Sequence, residues 1–189
     1  SWPRASMRMR SRSTERMRAT LSRWWHYLHG KRSEVAQMDY KDAYMAKVVM
    51  DIHRKRSGKR LTRVPLAQLE PIHRIDRENA LRATHERTEA LLANRDALLA
   101  TQLLDSETLQ AIMPSVSHIK VVRDGGRWLA FEGNGRLYAM RTVFAMADGM
   151  QVEVEEYSFD DDRSILRRLN RVRRLNRLDD VFPLDPTIR

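Results

Sequence analysis

The chain has 189 residues, of which 42% are hydrophobic, enough to build one domain of ordinary size with extensions. It contains no cysteine, which excludes a disulfide scaffold, a thiolate nucleophile and a cysteine-ligated zinc or iron–sulfur site. Its formal net charge of +10 favours partners such as phosphate backbones, anionic lipid or acidic proteins. No run of 18 apolar residues occurs, so no segment is predicted to span a membrane.

The first 23 residues are rich in Arg, Ser and Met and contain a single acidic residue, Glu15. This composition is typical of an organellar targeting region, and equally of a plain basic tail. The first interpretation predicts a mitochondrial protein.

A helix is predicted from Thr14 to about His29, within a basic N-terminal arm that we assign to residues 1–30. Its apolar side includes Trp24 and Trp25. So basic a segment has little apolar surface left for the core of its own chain. We therefore expect these two tryptophans to contact a partner.

Residues 31–101 are predicted to form a helical extension. Apolar periodicity indicates one helix over 33–56 and a longer one over 77–104. Between them, the cation-rich stretch 53–60 reads as a solvated link, and 61–75, which contains two prolines, reads as a short connector.

A compact module is predicted over residues 102–178. Apolar residues alternate in two short runs, which indicates a half-buried hairpin with its turn at 124–126. A second glycine turn at 133–135 precedes a helix predicted over 136–147, which Gly149 is placed to stop. A strand is predicted over 151–157.

The last predicted helix, 163–178, has an apolar side and a face covered with arginine. That face is either solvated or a contact for RNA, acidic protein or lipid. The residues assigned to partner contact here are Arg167, Arg168, Arg171 and Arg174. Residues 179–189 are predicted to form an irregular tail.

The residue patterns of the common catalytic and metal sites are missing from the sequence. The histidines are not spaced as in the zinc-protease pattern, and neither a phosphate-binding loop with lysine nor a nucleophile-elbow serine occurs. We therefore predict no catalytic residue, no metal site and no cofactor.

The module resembles the ParB/sulfiredoxin-like domain, in which an edge hairpin leads into a glycine turn and a helix. The matching residues are Ile119, Val121, the 124–126 turn, the 127–131 run, Gly133, Arg136, Leu137 and Ala139. The resemblance implies an α+β fold, a small mixed sheet with helices, over about residues 102–178.

The resemblance also points to a ligand site. In ParB-type proteins the equivalent turn binds nucleotide phosphates with two adjacent arginines, and in sulfiredoxins it carries a catalytic Cys-His-Arg. This chain has Asn134, Gly135 and Arg136 there, so the sulfiredoxin nucleophile is missing. What the resemblance implies is a vestigial phosphate site at Gly133, Asn134, Gly135 and Arg136. Alternatively, the glycines only shape the turn and Arg136 pairs with an acid such as Glu132.

Together these features predict a non-catalytic accessory subunit of a large mitochondrial assembly, such as a mitoribosome or an ATP synthase or respiratory complex. It would lie in the matrix or on the matrix side of the inner membrane. Its expected partners are neighbouring subunits, with rRNA and anionic lipid as further candidates. The alternative is a free-standing ParB-like protein that binds nucleotide or nucleic acid.

Overall fold

A computed structural model describes residues 40–115 and 117–178. The chain divides into two units, Ser1–Ala43 and Tyr44–Arg189, and the fold below is that of the second. The predicted arm helix with Trp24 and Trp25 and the tail 179–189 lie outside the described residues.

Six helices and six strands make up the described part of the chain. The helices are α1 (Tyr40–Lys55), α2 (Glu78–Ala93), α3 (Arg95–Thr101), α4 (Ser106–Ile112), α5 (Asn134–Val143) and α6 (Asp162–Leu175). The strands are β1 (Gly58–Pro65), β2 (Leu69–Pro71), β3 (Leu103–Leu104), β4 (Lys120–Asp124), β5 (Arg127–Glu132) and β6 (Gln151–Ser158). The predicted α+β class is confirmed.

The strands form one mixed sheet in the order β1-β6-β4-β5-β2, with β3 pairing with β6 as well. The β1–β6 and β4–β5 pairs are antiparallel, and the β4–β6, β2–β5 and β3–β6 pairs are parallel. The predicted hairpin is therefore present, but it lies inside the sheet.

Helices cover both faces of this sheet. Residues of α2 to α5 share a core with Val121 and Ala130 on one face, and residues of α1 and α6 share a core with Val122 and Leu129 on the other. The prediction of a half-buried hairpin is wrong, because Val121 and Val122 are 0% and 2% exposed although their side chains point to opposite faces.

The predicted link and connector form strands β1 and β2, which is a correction to the helical interpretation of this range. Lys59 forms an ion pair with Glu155 of β6 at 2.9 Å, and Arg60 forms one with Glu156 at 2.9 Å. From the sequence alone, a run of cations is interpreted as exposed to solvent. That interpretation was wrong here because the glutamates that pair with these cations lie more than ninety residues further along the chain.

The single long helix predicted over 77–104 is two helices, α2 and α3, that break at Asn94. Gln102 then adopts a left-handed conformation with φ of 51°, which turns the chain into β3. The helix predicted over 136–147 begins at Asn134 and ends at Val143, and Gly149 ends a following 3-10 turn instead. The predicted strand at 151–157 is confirmed as β6.

A polar network joins β2 and β5 to α6. Arg173 of α6 is buried; it forms an ion pair with Glu70 at 2.7 Å and donates a hydrogen bond to the carbonyl of Pro71 at 2.5 Å. Arg127 of β5 reaches the same Glu70 carboxylate at 3.0 Å and also pairs with Asp124 at 2.9 Å. The network fixes the short strand β2 at the edge of the sheet.

Candidate anion-binding site

The turn at 133–136 connects the inner strand β5 to helix α5, and its shape depends on Gly133. This residue is left-handed, with φ of 89°. A Cβ atom there would lie 2.8 Å from Cγ1 of Ile119, closer than carbon atoms approach in proteins. Glycine is therefore required at this position both by its backbone conformation and by the space available.

The start of α5 leaves backbone donors open. No side chain caps the helix. Its first backbone hydrogen bond between residues four apart runs from the N–H of Leu137 to the carbonyl of Gly133. The N–H groups of the first turn before Leu137 have no acceptor within the helix. Together with the helix dipole, such groups attract an anion.

Arg136, in the first turn of α5, is 6% exposed and forms no hydrogen bond or ion pair with any residue that the structure describes. Its Nη2 atom lies 3.1 Å from the position of a Cβ on Gly133, so the guanidinium folds back over the turn. Burial lowers the pKa of Arg136 below its ordinary value, and the nearby Arg87 lowers it further. Such an arrangement suits a negatively charged ligand.

Arg87 of α2 approaches the same turn from the other side. Its Nη1 atom lies 2.7 Å from the position of a Cβ on Gly135, and Oγ1 of Thr84 lies 3.3 Å from it. Arg87 likewise has no hydrogen-bond or ion-pair partner in the described part of the chain. We call Arg87 and Arg136, with the turn between them, the arginine cradle.

Arg136 also lines a pocket of about 270 Å³. The pocket walls combine the apolar side chains of Leu109 and Ile119 with polar ones that include Ser115, Ser117, His118 and Glu153. The Glu153 carboxylate already accepts a hydrogen bond from the backbone N–H of Ser106. The buried guanidinium therefore borders a pocket with both polar and apolar walls, large enough for a small ligand.

Glu132 does not partner Arg136, so this part of the alternative interpretation is wrong. Its carboxylate is bound by Nζ of Lys120 at 2.6 Å and by Nε2 of His53 at 2.5 Å. Burial alone would raise the pKa of Glu132, but these two hydrogen bonds outweigh burial and hold that pKa below its ordinary value. Glu132 gives Arg136 only a longer-range attraction.

Asn134, predicted as part of the phosphate site, has its side chain turned into the protein. Its Oδ1 accepts a hydrogen bond from the N–H of Ile72 at 3.0 Å, and its Nδ2 donates one to the carbonyl of Ala130 at 2.9 Å. The amide joins β2, β5 and α5, so a ligand in the cradle meets the backbone of Asn134 but not its side chain.

Replacing Asn134 with alanine is expected to lower the free energy of unfolding by about 2–4 kcal/mol, because two buried backbone groups lose their partners. Urea denaturation measures this change. Asn94→Ala is the matched control, since the exposed side-chain amide of Asn94 donates to Ala90 of its own helix and bonds no other described residue. An Asn134→Ala chain as stable as the control would contradict the assignment of Asn134 as the joint between these elements.

The predicted contact arginines of α6 fall into two groups. Arg167, Arg171 and Arg174 are exposed, whereas Arg168 forms an ion pair with Asp51 of α1. These residues lie on the sheet face opposite the cradle, since α6 packs with α1 and α5 packs with α2.

Sequence reasoning missed Arg87 altogether. Its helix precedes the turn by almost fifty residues, and nothing local to Arg87 indicates a ligand. A weak signal exists in Thr84 and Thr88, which are polar residues at near-heptad spacing from Leu81 and Leu91. Leu81 itself is 50% exposed.

Comparison with protein-family models, curated proteins and solved structures finds no match for this chain. The resemblance to the ParB/sulfiredoxin-like domain therefore stays a prediction. Among the described residues, no helix is long and apolar enough to cross a membrane. Within 40–115 and 117–178, no group of three or more acidic or histidine side chains is arranged to hold a metal ion.

Proposed function

We propose that this chain is a non-catalytic protein that binds a phosphate-bearing ligand, such as a nucleotide, in the arginine cradle. The observation that supports this role is the burial of Arg136 without a hydrogen-bonding or ion-pairing partner. Burying an unpaired charge is costly. A residue that keeps such a charge beside a second guanidinium is well explained by a ligand that supplies the missing negative charge.

Bound phosphate would supply hydrogen-bond acceptors and negative charge to the unpaired arginines and to the open N–H groups of the cradle. Its oxygens would accept hydrogen bonds from Arg87 and Arg136, and charge-assisted bonds of this kind are among the stronger ones in proteins. They would also accept from the open N–H groups at the start of α5. The repulsion between the two guanidiniums would become a shared attraction to one anion.

A binding role is favoured over a catalytic one by the position of Asn134. Sulfiredoxins carry their nucleophilic cysteine at the equivalent point of the turn. Here the asparagine amide is held by Ile72 and Ala130, so it is not available to a substrate. The cradle offers charge and hydrogen-bond donors, which are sufficient for holding a phosphate.

The proposal is tested by calorimetric titration of the full-length chain with pyrophosphate and with nucleoside triphosphates at low salt. We expect saturable binding that weakens about 10- to 100-fold in Arg136→Gln and in Arg87→Gln, as for the loss of a hydrogen bond to a charged group. Arg141→Gln is the control, since Arg141 is exposed in the last turn of α5. Absence of saturable binding, or an equal loss in the control, would overturn the proposal.

A second role, as an accessory subunit of a large mitochondrial assembly, is favoured by the exposed arginines of α6, which are Arg163, Arg167, Arg171 and Arg174. Four exposed cations on one helix are suited to a partner surface. Native electrophoresis of the protein from its source, with identification of the co-migrating species, tests this role. Migration as a lone monomer would contradict it.

A further inference from the structure

The pocket that Arg136 lines is continuous with the arginine cradle, because two residues belong to both. Arg136 is one of them, and the other is Ile119, which lines the pocket and lies 2.8 Å from the position of a Cβ on Gly133. We call this pocket, which Glu153 also lines, the side pocket. A ligand whose phosphate lies in the cradle can therefore extend its organic part into the side pocket.

The volume of the side pocket limits that organic part to a small group. At about 270 Å³, it lies just below the roughly 300–1,000 Å³ of pockets that hold drug-sized ligands. Since a water molecule takes up about 30 Å³ of liquid, the side pocket corresponds to about nine waters. This is the size of a sugar ring with its hydroxyls, and a peptide of several residues would not fit.

Glu153 gives the side pocket a carboxylate oxygen that is available to a ligand. Its Oε1 atom accepts hydrogen bonds from the backbone N–H of Ser106 at 3.2 Å and from the Ser106 hydroxyl. Its Oε2 atom has one neighbouring cation in the described part of the chain, Nε of Arg63 at 3.9 Å, which is beyond hydrogen-bond length. A ligand hydroxyl can donate to this oxygen, and bonds to an ionised acceptor are stronger than those between neutral groups.

The same carboxylate determines which part of the ligand enters the side pocket. A second phosphate there would be repelled by Glu153. Arg136 is the only arginine or lysine among the described residues that line the pocket, and it is shared with the cradle. The phosphate is therefore expected in the cradle, and the uncharged part of the ligand in the side pocket.

The remaining walls of the side pocket match a sugar ring. Leu109 and Ile119 offer apolar contacts to its C–H groups, while Ser115, Ser117 and His118 carry hydrogen-bonding groups for its hydroxyls. A hydrocarbon group would leave these polar side chains without water or a partner, which is unfavourable.

We propose that the ligand is a sugar phosphate, with its phosphate in the arginine cradle and its sugar in the side pocket, where Glu153 accepts a hydrogen bond from a hydroxyl. This inference rests on the proposed function, because it takes the phosphate site as given and identifies what the phosphate is attached to. A free sugar phosphate and the ribose phosphate of a nucleoside monophosphate share this chemistry.

The test is calorimetric titration of the full-length chain with inorganic phosphate, ribose 5-phosphate and AMP. We expect ribose 5-phosphate to bind about 10- to 100-fold more tightly than phosphate, as for one added hydrogen bond to a charged group. Glu153→Gln should abolish most of this preference. Phosphate itself should bind the variant no more weakly than the parent, because the substitution removes a negative charge from the pocket. A change in net charge alone would tighten the binding of both ligands.

Glu155→Gln is the matched control. Glu155 lies two residues further along β6 and pairs with Lys59 at 2.9 Å, and it is not among the residues that line the side pocket. Its substitution removes the same charge and should leave the preference for ribose 5-phosphate unchanged. In a second variant, Ser117→Leu, an apolar side chain fills the side pocket, so the preference should be lost while phosphate still binds.

The AMP titration identifies the source of the sugar phosphate. Binding of AMP that is tighter than that of ribose 5-phosphate and is weakened by Glu153→Gln would support the proposal with a nucleotide as the ligand. Weaker binding of AMP would support it with a free sugar phosphate.

Three results would overturn the inference. If pyrophosphate binds but ribose 5-phosphate binds no more tightly than inorganic phosphate, the side pocket holds no sugar and the proposed function still stands. If no phosphate compound binds, both proposals fail. If a phosphoserine peptide binds more tightly than ribose 5-phosphate and equally well to Glu153→Gln, the cradle is a site for a phosphorylated protein.

Discussion

Replacing Arg136 with methionine is expected to raise the free energy of unfolding of the ligand-free chain while weakening phosphate binding at least as much as Arg136→Gln does. Methionine fills a similar volume but carries no charge to desolvate. Arg136 is buried, has no hydrogen-bonding or ion-pairing partner among the described residues, and lies near a second guanidinium that lowers its pKa. We expect a gain of about 1–2 kcal/mol, in the range seen when buried charges are replaced by apolar side chains.

Urea denaturation of the ligand-free protein measures this gain through the midpoint, with the m-value unchanged. Arg141→Met is the control on the same helix. Since Arg141 is exposed, its replacement should change stability by no more than about 0.5 kcal/mol. At the same concentration, pyrophosphate should stabilise the parent chain and the control much more than the Arg136→Met chain, since the gain in stability falls as the dissociation constant rises. A marked loss of stability in Arg136→Met would show that Arg136 is structural and would count against the cradle.

Replacing Arg173 with methionine is expected to lower the free energy of unfolding, opposite to the effect expected at Arg136. Arg173 is 5% exposed, but it pairs with Glu70 at 2.7 Å and donates to the Pro71 carbonyl at 2.5 Å. In Arg173→Met the Pro71 carbonyl loses the guanidinium donor, and among the described residues Glu70 keeps Arg127 as its ion-pair partner. Because Arg173 is buried but the Glu70 side chain is 28% exposed, we expect a loss of about 1.5–3 kcal/mol, as for the removal of a hydrogen bond to a charged group.

The control for Arg173 is its neighbour in the sequence. Arg174 is exposed, and Arg174→Met should leave the free energy of unfolding within about 0.5 kcal/mol of the parent value. A double-mutant cycle with Glu70→Gln then isolates the Arg173–Glu70 interaction. An Arg173→Met chain that unfolds at the parent midpoint would mean that β2 is fixed at the sheet edge by other contacts.

The candidate anion-binding site could be predicted only in part, and Asn134 and Arg87 show why. The turn at 133–136 is readable from its glycines, because positive φ is a local property of the backbone. The side chains around it are not readable in the same way. Asn134 was predicted to face a ligand and is instead bonded to Ile72 and Ala130, and Arg87 reaches the turn from a helix almost fifty residues earlier.

Some strands could likewise be predicted from the sequence and others could not. The β4–β5 hairpin and β6 carry alternating or continuous apolar residues and turn residues between them, so the sequence predicts them. The charged strand β1 has no such pattern; it pairs along its whole length with β6, buries Val64 in the core and brings its cations beside glutamates of β6. Cross-strand pairing of this kind stabilises a strand whose own residues do not predict one.

By itself the sequence determined the α+β class, the central hairpin, the glycine turn, helix α5, strand β6 and the amphipathic character of α6. Each rests on signals that act over a few residues, namely backbone sterics, capping and apolar periodicity. Only the tertiary structure decided that both sheet faces are covered, that β1 and β2 join the sheet, and which arginines are buried, paired or exposed. The reason is physical: burial and electrostatic pairing depend on residues distant in the sequence that meet only when the chain has folded.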